Sequence, residues 1–171
     1  VVHAAEVIGS GEDPMKGIKK KDSSMRRALT MLKNDEGDVA VSAGNTGALI
    51  SGATLLVKRI PGVRRVALAP VMPTSKGCFL LVDAGANAEC TPAFLKQFAI
   101  MGSIYMESIM KVKNPRVRLI NIGAEEEKGT PLITKTHQLL KELPIHYDGY
   151  IEGREVPLGG ADVVVCDGFT G

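Results

Sequence analysis

Short apolar runs alternate with longer amphipathic segments along the chain. Such alternation is typical of strands joined by helices, and it predicts a mainly parallel sheet covered by helices on both faces. The pattern predicts helices at about 24–34, 45–59, 92–111 and 131–143. It predicts strands at about 38–42, 65–71, 78–82, 117–122, 147–151 and 161–166. Thr91-Pro92 and Thr130-Pro131 each place a capping residue before a proline, a favourable helix start.

The helix at 92–111 carries apolar residues around most of its circumference. A helix of that kind is either deeply buried or part of a subunit interface, and the sequence leaves both alternatives open.

The composition is that of a globular protein, because 44% of the 171 residues are hydrophobic and 23% are charged. This length predicts a single α/β domain over 1–171. A formal net charge of +2 gives no field that would favour nucleic acid as a partner. No window approaches the roughly 18 consecutive apolar residues of a membrane span. Since the chain starts at Val1 without a methionine and stops at Gly171, we expect it to be an incomplete part of a longer protein.

Metal binding and covalent catalysis are not indicated by the motifs. Cys78, Cys90 and Cys166 form no CxxC pair and no Cys/His metal spacing, so they are interpreted as free thiols, with Cys166 packed inside a strand. The histidines stand apart from every glycine-rich turn and are interpreted as surface or core residues; they are His3, His137 and His146. There is no GxSxG motif that would present a nucleophilic serine.

Four glycine-containing polar segments follow predicted strands: 42–47, 83–87, 121–129 and 167–171. In a parallel sheet the carboxyl ends of the strands share one edge, which is where such proteins bind ligands. The sequence therefore predicts that all four segments open on the same edge.

The segment 42–47 has the composition of an anion-binding turn before a helix. Its glycines permit close backbone approach, its polar side chains are donors, and a helix start favours an anion. It lacks the spacing of a P-loop, and a capped turn without a ligand remains the alternative. The candidate phosphate- or substrate-binding residues are Ser42, Gly44, Asn45, Thr46 and Gly47.

Three further side chains are candidates for the same edge. Asp83 either binds neighbouring loop N–H groups, the favoured interpretation, or faces a ligand, and Asn87 is a possible donor to a ligand oxygen. Lys128 precedes a helix start, where its ammonium can neutralise phosphate or the oxyanion of an acyl-transfer intermediate; a solvated surface role is the alternative.

A basic cluster is formed by 19–21 together with Arg26 and Arg27. It suits an acidic protein partner, an anionic membrane surface or solvent alone, and the sequence does not separate these.

Several long strings resemble the phosphate acyltransferases of bacterial phospholipid synthesis, the PlsX family. They are VSAGNTGAL (41–49), LVDAGAN (81–87), QFAIMGSIY (97–105), NPRVRLINIGAEEEKG (114–129) and ADVVVCDGFTG (161–171), with KKDSSM at 20–25. The resemblance implies transfer of a fatty acyl group from acyl carrier protein to inorganic phosphate, giving acyl phosphate. It implies a three-layer α/β/α sandwich, similar to the isocitrate/isopropylmalate dehydrogenase-like and phosphotransacetylase folds.

The resemblance further implies a cytoplasmic homodimer without a cofactor, which contacts the membrane peripherally through parts outside this chain. It assigns Lys128 as the cation of the site and places Asp167 and Thr170 in the same pocket, with Asp167 catalytic. Compared with the family, this chain lacks the amino-terminal DAMGGD-type segment and the asparagine that follows DGFTG. The alternatives are a phosphotransacetylase-like enzyme using an acyl-coenzyme A and a non-catalytic fragment that binds acyl carrier protein.

Overall fold

The computed structural model describes residues 1–171. These residues form two compact units, an amino-terminal unit at 1–66 and a carboxy-terminal unit at 67–171. The single-domain expectation stays a prediction.

Three helices form the amino-terminal unit: α1 (Pro14–Gly17), α2 (Ser24–Lys33) and α3 (Thr46–Gly52), which continues into a π-helical turn, Ala53–Val57. The predicted helices at 24–34 and 45–59 are thus confirmed with slightly shorter bounds. They pack because their apolar faces meet in a small core made of Ile8, Ile18, Met25, Leu29 and Ala48. Gly52 permits this approach, since a Cβ there would stand 2.5 Å from Leu29 Cδ1.

Two predicted strands are wrong. Residues 38–42 form no strand, and Val39 and Val41 are largely exposed, because no neighbouring strand accepts their backbone hydrogen bonds. Residues 65–70 are also irregular, and the strand begins only at Val71. Leu68 instead donates its N–H to the Asp83 carboxylate, and its carbonyl accepts from Ala84.

The carboxy-terminal unit is a five-stranded sheet with two principal helices. The strands are β1 (Val71–Thr74), β2 (Gly77–Val82), β3 (Val117–Ile120), β4 (Tyr147–Ile151) and β5 (Val163–Val165). Their order is β1-β2-β5-β3-β4, and every pair except β1–β2 is parallel. The helices are α4 (Pro92–Ser108) and α5 (Pro131–Lys141), with a 3-10 turn at Val156–Leu158. The mainly parallel α/β architecture is therefore confirmed.

Alternation along the strands sends apolar side chains to both faces of the sheet, as expected for parallel strands. On one face, Val82, Leu119 and Val163 pack with Leu95 and Phe98 of α4 and with Leu140 of α5. On the other face lies a smaller cluster formed by Phe79, Ile151, Val156, Ala161 and Val164.

Helix α4 is buried along one face only. Ile104 is 56% exposed and Tyr105 is 39% exposed. Of the two alternatives for this helix, deep burial is therefore wrong for this chain, and a place in a subunit interface stays a prediction. No helix in the structure combines the length and the apolar character needed to span a bilayer.

Candidate active site at the carboxyl edge of the sheet

Three of the four predicted segments lie at one edge of the sheet. Residues 83–87 follow β2, 121–129 follow β3 and 167–171 follow β5, and these strands are parallel. Since β5 lies between β2 and β3, segment 167–171 is central. The shared edge is therefore confirmed for these three segments. Segment 42–47 belongs to the amino-terminal unit and follows no strand, so its predicted place after a strand is wrong, and its place at the shared edge stays a prediction.

A cavity of about 480 Å³ opens at this edge. Its polar lining includes Asn121, Thr130, Asp167 and Thr170, and its apolar lining includes Ile120, Ile122 and Ile133. The combination suits a molecule with a polar reacting end and an apolar remainder.

The amino-terminal end of α5 forms part of the cavity wall. Thr130 is the N-cap residue and accepts the Ile133 N–H through Oγ1 at 3.4 Å, and Pro131 occupies the first helical position. An 11-residue helix directs the positive end of its dipole toward its start. This wall therefore favours an anion.

Asp167 shapes the loop that closes the other side of the cavity. Its Oδ1 accepts the N–H groups of Phe169 at 3.2 Å and Thr170 at 2.8 Å. The neighbouring Gly168 N–H donates to the Asn87 carbonyl at 2.8 Å, which joins the loop to segment 83–87. One oxygen of Asp167 thus organises the turn, and the other is left for a proton or a ligand donor.

Asp83 has a structural role in this arrangement. It is fully buried, and its Oδ1 accepts the N–H groups of Leu68 at 2.8 Å and Ala86 at 3.0 Å. Its Oδ2 accepts both the backbone and the side-chain N–H of Asn87, each at 2.7 Å. The contacts therefore support the interpretation in which Asp83 binds loop N–H groups, and they commit the Asn87 amide to Asp83.

Lys128 stands beside the cavity without lining it. Its ammonium pairs with Glu125 Oε1 at 2.7 Å, with about half of each side chain exposed. The hydrogen bond from Lys128 lowers the pKa of Glu125. The next two residues, Gly129 and Thr130, do line the cavity, so Lys128 leads directly into its wall.

In the amino-terminal unit, segment 42–47 is largely engaged in local structure. The Asn45 amide donates to the carbonyls of Gly9, Ser10 and Glu12, and its Oδ1 accepts the Ala48 N–H at 2.9 Å. Gly47 makes room for Pro14, whose Cγ would stand 2.6 Å from a Cβ there. Asn45 and Gly47 thus hold the turn, while three exposed residues remain accessible: Ser42, Gly44 and Thr46.

The basic cluster is partly neutralised within the same unit. Lys20 pairs with Glu12 at 2.8 Å, Arg27 pairs with Asp22, and Arg26 donates to the Ile18 carbonyl at 2.6 Å. The two ion pairs reduce the charge available to an acidic partner, whereas the Arg26 contact leaves its charge in place.

The buried histidine and cysteine do not line the cavity. His137 packs on the Tyr150 ring at a centroid distance of 4.4 Å, and its Nδ1 lies 2.6 Å from the Tyr147 hydroxyl. Burial raises the pKa of the Cys166 thiol to about 12, so it is un-ionised at neutral pH. Cys166 is therefore packed in the core as predicted, and of the two alternatives for His137, surface or core, the structure has the core one.

Sequence reasoning missed three features of the cavity wall: Asn121, Thr130 as a lining residue, and Gly153. Asn121 is the first residue of the predicted polar segment 121–129, but the predicted strand at 117–122 also includes it, whereas β3 ends at Ile120. The signal available was a polar residue at the end of an apolar strand, the same signal that placed segments 83–87 and 167–171 at the sheet edge.

The fold resembles that of solved phosphotransacetylases. The phosphotransacetylase from Streptococcus pyogenes superposes with a TM-score of 0.70 at 13% identity, covering 91% of this chain and 54% of that one. The EutD phosphotransacetylase from Staphylococcus aureus gives a TM-score of 0.62 at 16% identity, covering 88% of this chain and 53% of that one. At these identities the likeness shows the fold alone.

Sequence comparisons are more specific. The phosphate acyltransferase from Clostridium novyi (strain NT) is 54% identical over 172 aligned positions, covering 100% of this chain and 52% of the relative. That from Alkaliphilus oremlandii (strain OhILAs) is also 54% identical, covering 100% of this chain and 51% of the relative. The chain thus spans about half the length of the curated relatives it matches. The sequence model of one family, described as fatty acid synthesis protein, matches residues 1–171, and the chain belongs to that family.

Proposed function

We propose that the full-length protein transfers a fatty acyl group from acyl carrier protein to inorganic phosphate, giving acyl phosphate for phospholipid synthesis. The observation that carries this proposal is the 54% identity, over the whole chain, to proteins named phosphate acyltransferase. The cavity supports it, because an anion-favouring helix start lies beside three isoleucines that suit an acyl chain.

In the proposed reaction, an oxygen of phosphate attacks the thioester carbonyl carbon. A carbon–oxygen bond forms, negative charge develops on the carbonyl oxygen, and the carbon–sulfur bond then breaks to release the carrier thiol. Phosphate is itself the nucleophile, so no activated serine or cysteine is required. Catalysis then depends on positioning the two reactants and on stabilising negative charge.

Three polar side chains of the cavity have roles in this scheme. The start of α5, with the hydroxyls of Thr130 and Thr170, binds phosphate oxygens. The free oxygen of Asp167 accepts the proton of the attacking phosphate and returns it to the leaving sulfur.

The Lys128 ammonium neutralises the developing charge. It can leave Glu125 to do so because solvent screens an exposed ion pair, which therefore contributes little to stability.

Segment 42–47 is proposed as a second part of the substrate site in the full-length protein. The accessible groups are the Ser42 and Thr46 hydroxyls and the Gly44 backbone, while Asn45 and Gly47 maintain the turn that presents them.

We also propose that the full-length protein is a cytoplasmic homodimer and that regions outside this chain contact the membrane peripherally. A light-scattering mass equal to two full-length subunits is expected, and a mass equal to one subunit would contradict the dimer. Sedimentation with anionic lipid vesicles that does not exceed the vesicle-free control would contradict the membrane contact.

The function is tested by measuring thiol release from palmitoyl-acyl carrier protein by the full-length protein, with and without phosphate. We expect phosphate-dependent release that falls about 10²-fold or more in Lys128→Ala. Lys113→Ala is the matched control, because Lys113 is exposed and precedes β3 at the opposite edge of the sheet. Release from palmitoyl-coenzyme A but not from the carrier protein would favour the phosphotransacetylase-like alternative, and release from neither would refute the proposal.

A further inference from the structure

The loop between β3 and α5 contains one buried polar side chain. Asn121 is 9% exposed, whereas every residue from Ala124 to Thr130 is exposed. A buried amide beside an exposed loop must satisfy its hydrogen bonds within the protein, so its partners show what it does.

Asn121 connects the sheet to the far end of its own loop. Its backbone N–H donates to the Ile151 carbonyl at 3.0 Å, which continues the pairing of β3 with β4. Its side-chain Nδ2 donates to the Lys128 carbonyl at 2.9 Å, seven residues later. The residue therefore ties the Lys128 main chain to the paired end of β3 and β4.

Gly129 makes this contact possible. Its φ of +110° lies in the region that favours glycine, and a Cβ at this position would stand 2.6 Å from Asn121 Oδ1. The amide thus packs directly on the Gly129 backbone, one residue before the N-cap of α5.

The main chain and the side chain of Lys128 are held differently. The carbonyl is fixed by a buried amide, and the Lys128 N–H donates to the Glu125 carbonyl at 3.1 Å within the loop. The ammonium, by contrast, is half-exposed and paired only with the exposed Glu125 carboxylate. This arrangement fixes where the side chain starts and leaves its charged end free to exchange partners.

We infer that Asn121 is a positioning residue for the proposed acyl transfer: it holds the Lys128 backbone so that the ammonium reaches the anion at the start of α5. The inference rests on the proposed function. Because a displacement of about 1 Å at a reacting group can cost about 10²-fold in rate, one hydrogen bond at this point has a measurable effect.

The test is a double-mutant cycle in the full-length protein, assayed by phosphate-dependent thiol release. We expect Asn121→Ala and the volume-conserving Asn121→Leu to lower kcat about 10- to 100-fold, with a smaller change in the KM for phosphate. In a Lys128→Ala background the same changes should alter kcat by less than about twofold, since Asn121 acts through Lys128. Gln138→Ala, which truncates an exposed amide on α5, is the matched control and should leave kcat unchanged.

Hydrogen exchange separates positioning from loss of folding. Amides of β3 and β5 should keep their wild-type protection in both Asn121 variants, while amides at 122–128 exchange faster. Exposure of β3 and β5 to exchange would show that Asn121 acts on folding and would overturn the inference.

The remaining outcomes are distinct. Two results would overturn the positioning role while the proposed function stands, provided that the wild-type and control proteins turn over. The first is that the Asn121 variants keep more than about half of the wild-type kcat. The second is that their losses in kcat add fully to the loss caused by Lys128→Ala. If the wild-type protein shows no phosphate-dependent release, the proposed function fails and the positioning role fails with it.

Discussion

Replacing Asp83 by asparagine separates its structural role from a ligand-binding role. The carboxylate accepts four N–H groups, two on each oxygen. An asparagine keeps the shape but turns one of those oxygens into an NH₂ group. In either orientation of the amide, two N–H donors then face another donor and lose their hydrogen bonds.

The magnitude follows from those two donors. Leaving a buried donor unsatisfied costs about 1–3 kcal/mol, so the variant should lose about 2–6 kcal/mol of local stability. Since about 1.4 kcal/mol corresponds to a tenfold change in an equilibrium constant, even the lower figure increases opening about 30-fold.

Hydrogen exchange of the full-length protein measures this locally. In Asp83→Asn, the amides of Leu68, Ala86 and Asn87 should exchange at least about 30-fold faster than in the wild type. Asp148→Asn is the control: Asp148 is paired with Arg118 at the surface, and its loss should leave those amides unchanged. Unchanged exchange in Asp83→Asn, together with loss of phosphate-dependent turnover, would refute this reasoning and assign Asp83 to the ligand.

Three other perturbations test different parts of the fold. Asn45→Ala removes the N-cap side chain that accepts the Ala48 N–H, so it should lower the local stability of α3 by about 1–2 kcal/mol and speed the exchange of its amides. Thr46→Ala, at the neighbouring exposed position, should not have this effect. Equal exchange rates in the two variants would contradict the capping role of Asn45. Gly102→Val should lower the thermal midpoint of unfolding, because even a single Cβ would stand 2.6 Å from Val163 Cγ1, and overpacking of this kind costs about 1–3 kcal/mol. The control is Glu107→Val, at an exposed position of the same helix. Equal midpoints for the two variants, or a higher one for Gly102→Val, would contradict this packing. Burial holds the pKa of His137 below its usual 6.5, so near that pH the unfolded chain binds a proton that the folded chain does not, and the stability of the folded chain should fall as the pH drops below about 6.5. His137→Gln should remove this pH dependence from the amide exchange of α5. An unaltered pH profile in the variant would exclude His137 as its source.

Local patterns in the chain were sufficient for most of the secondary structure. Thr130-Pro131 predicted the start of α5, and the β-branched run at 163–165 predicted β5, because capping and side-chain alternation depend on neighbours in sequence. The strings shared with phosphate acyltransferases indicated the family, which the match over 1–171 confirms. Glycine-containing polar segments after apolar runs also located three of the loops that meet at the sheet edge.

Long-range packing determined the rest. Residues 38–42 have the alternation of a strand but remain irregular, since a strand exists only where another backbone pairs with it. The sequence left two roles open for both Asp83 and Lys128. The folded chain surrounds Asp83 with its own N–H donors, which was the favoured interpretation, and leaves the Lys128 ammonium half-exposed. The sequence placed the segment that contains Asn121 at the sheet edge but did not single out this residue, because its importance depends on a hydrogen bond to a residue that only the folded loop brings near. Burial and hydrogen-bond satisfaction are properties of the three-dimensional environment, and no pattern of neighbouring residues encodes them.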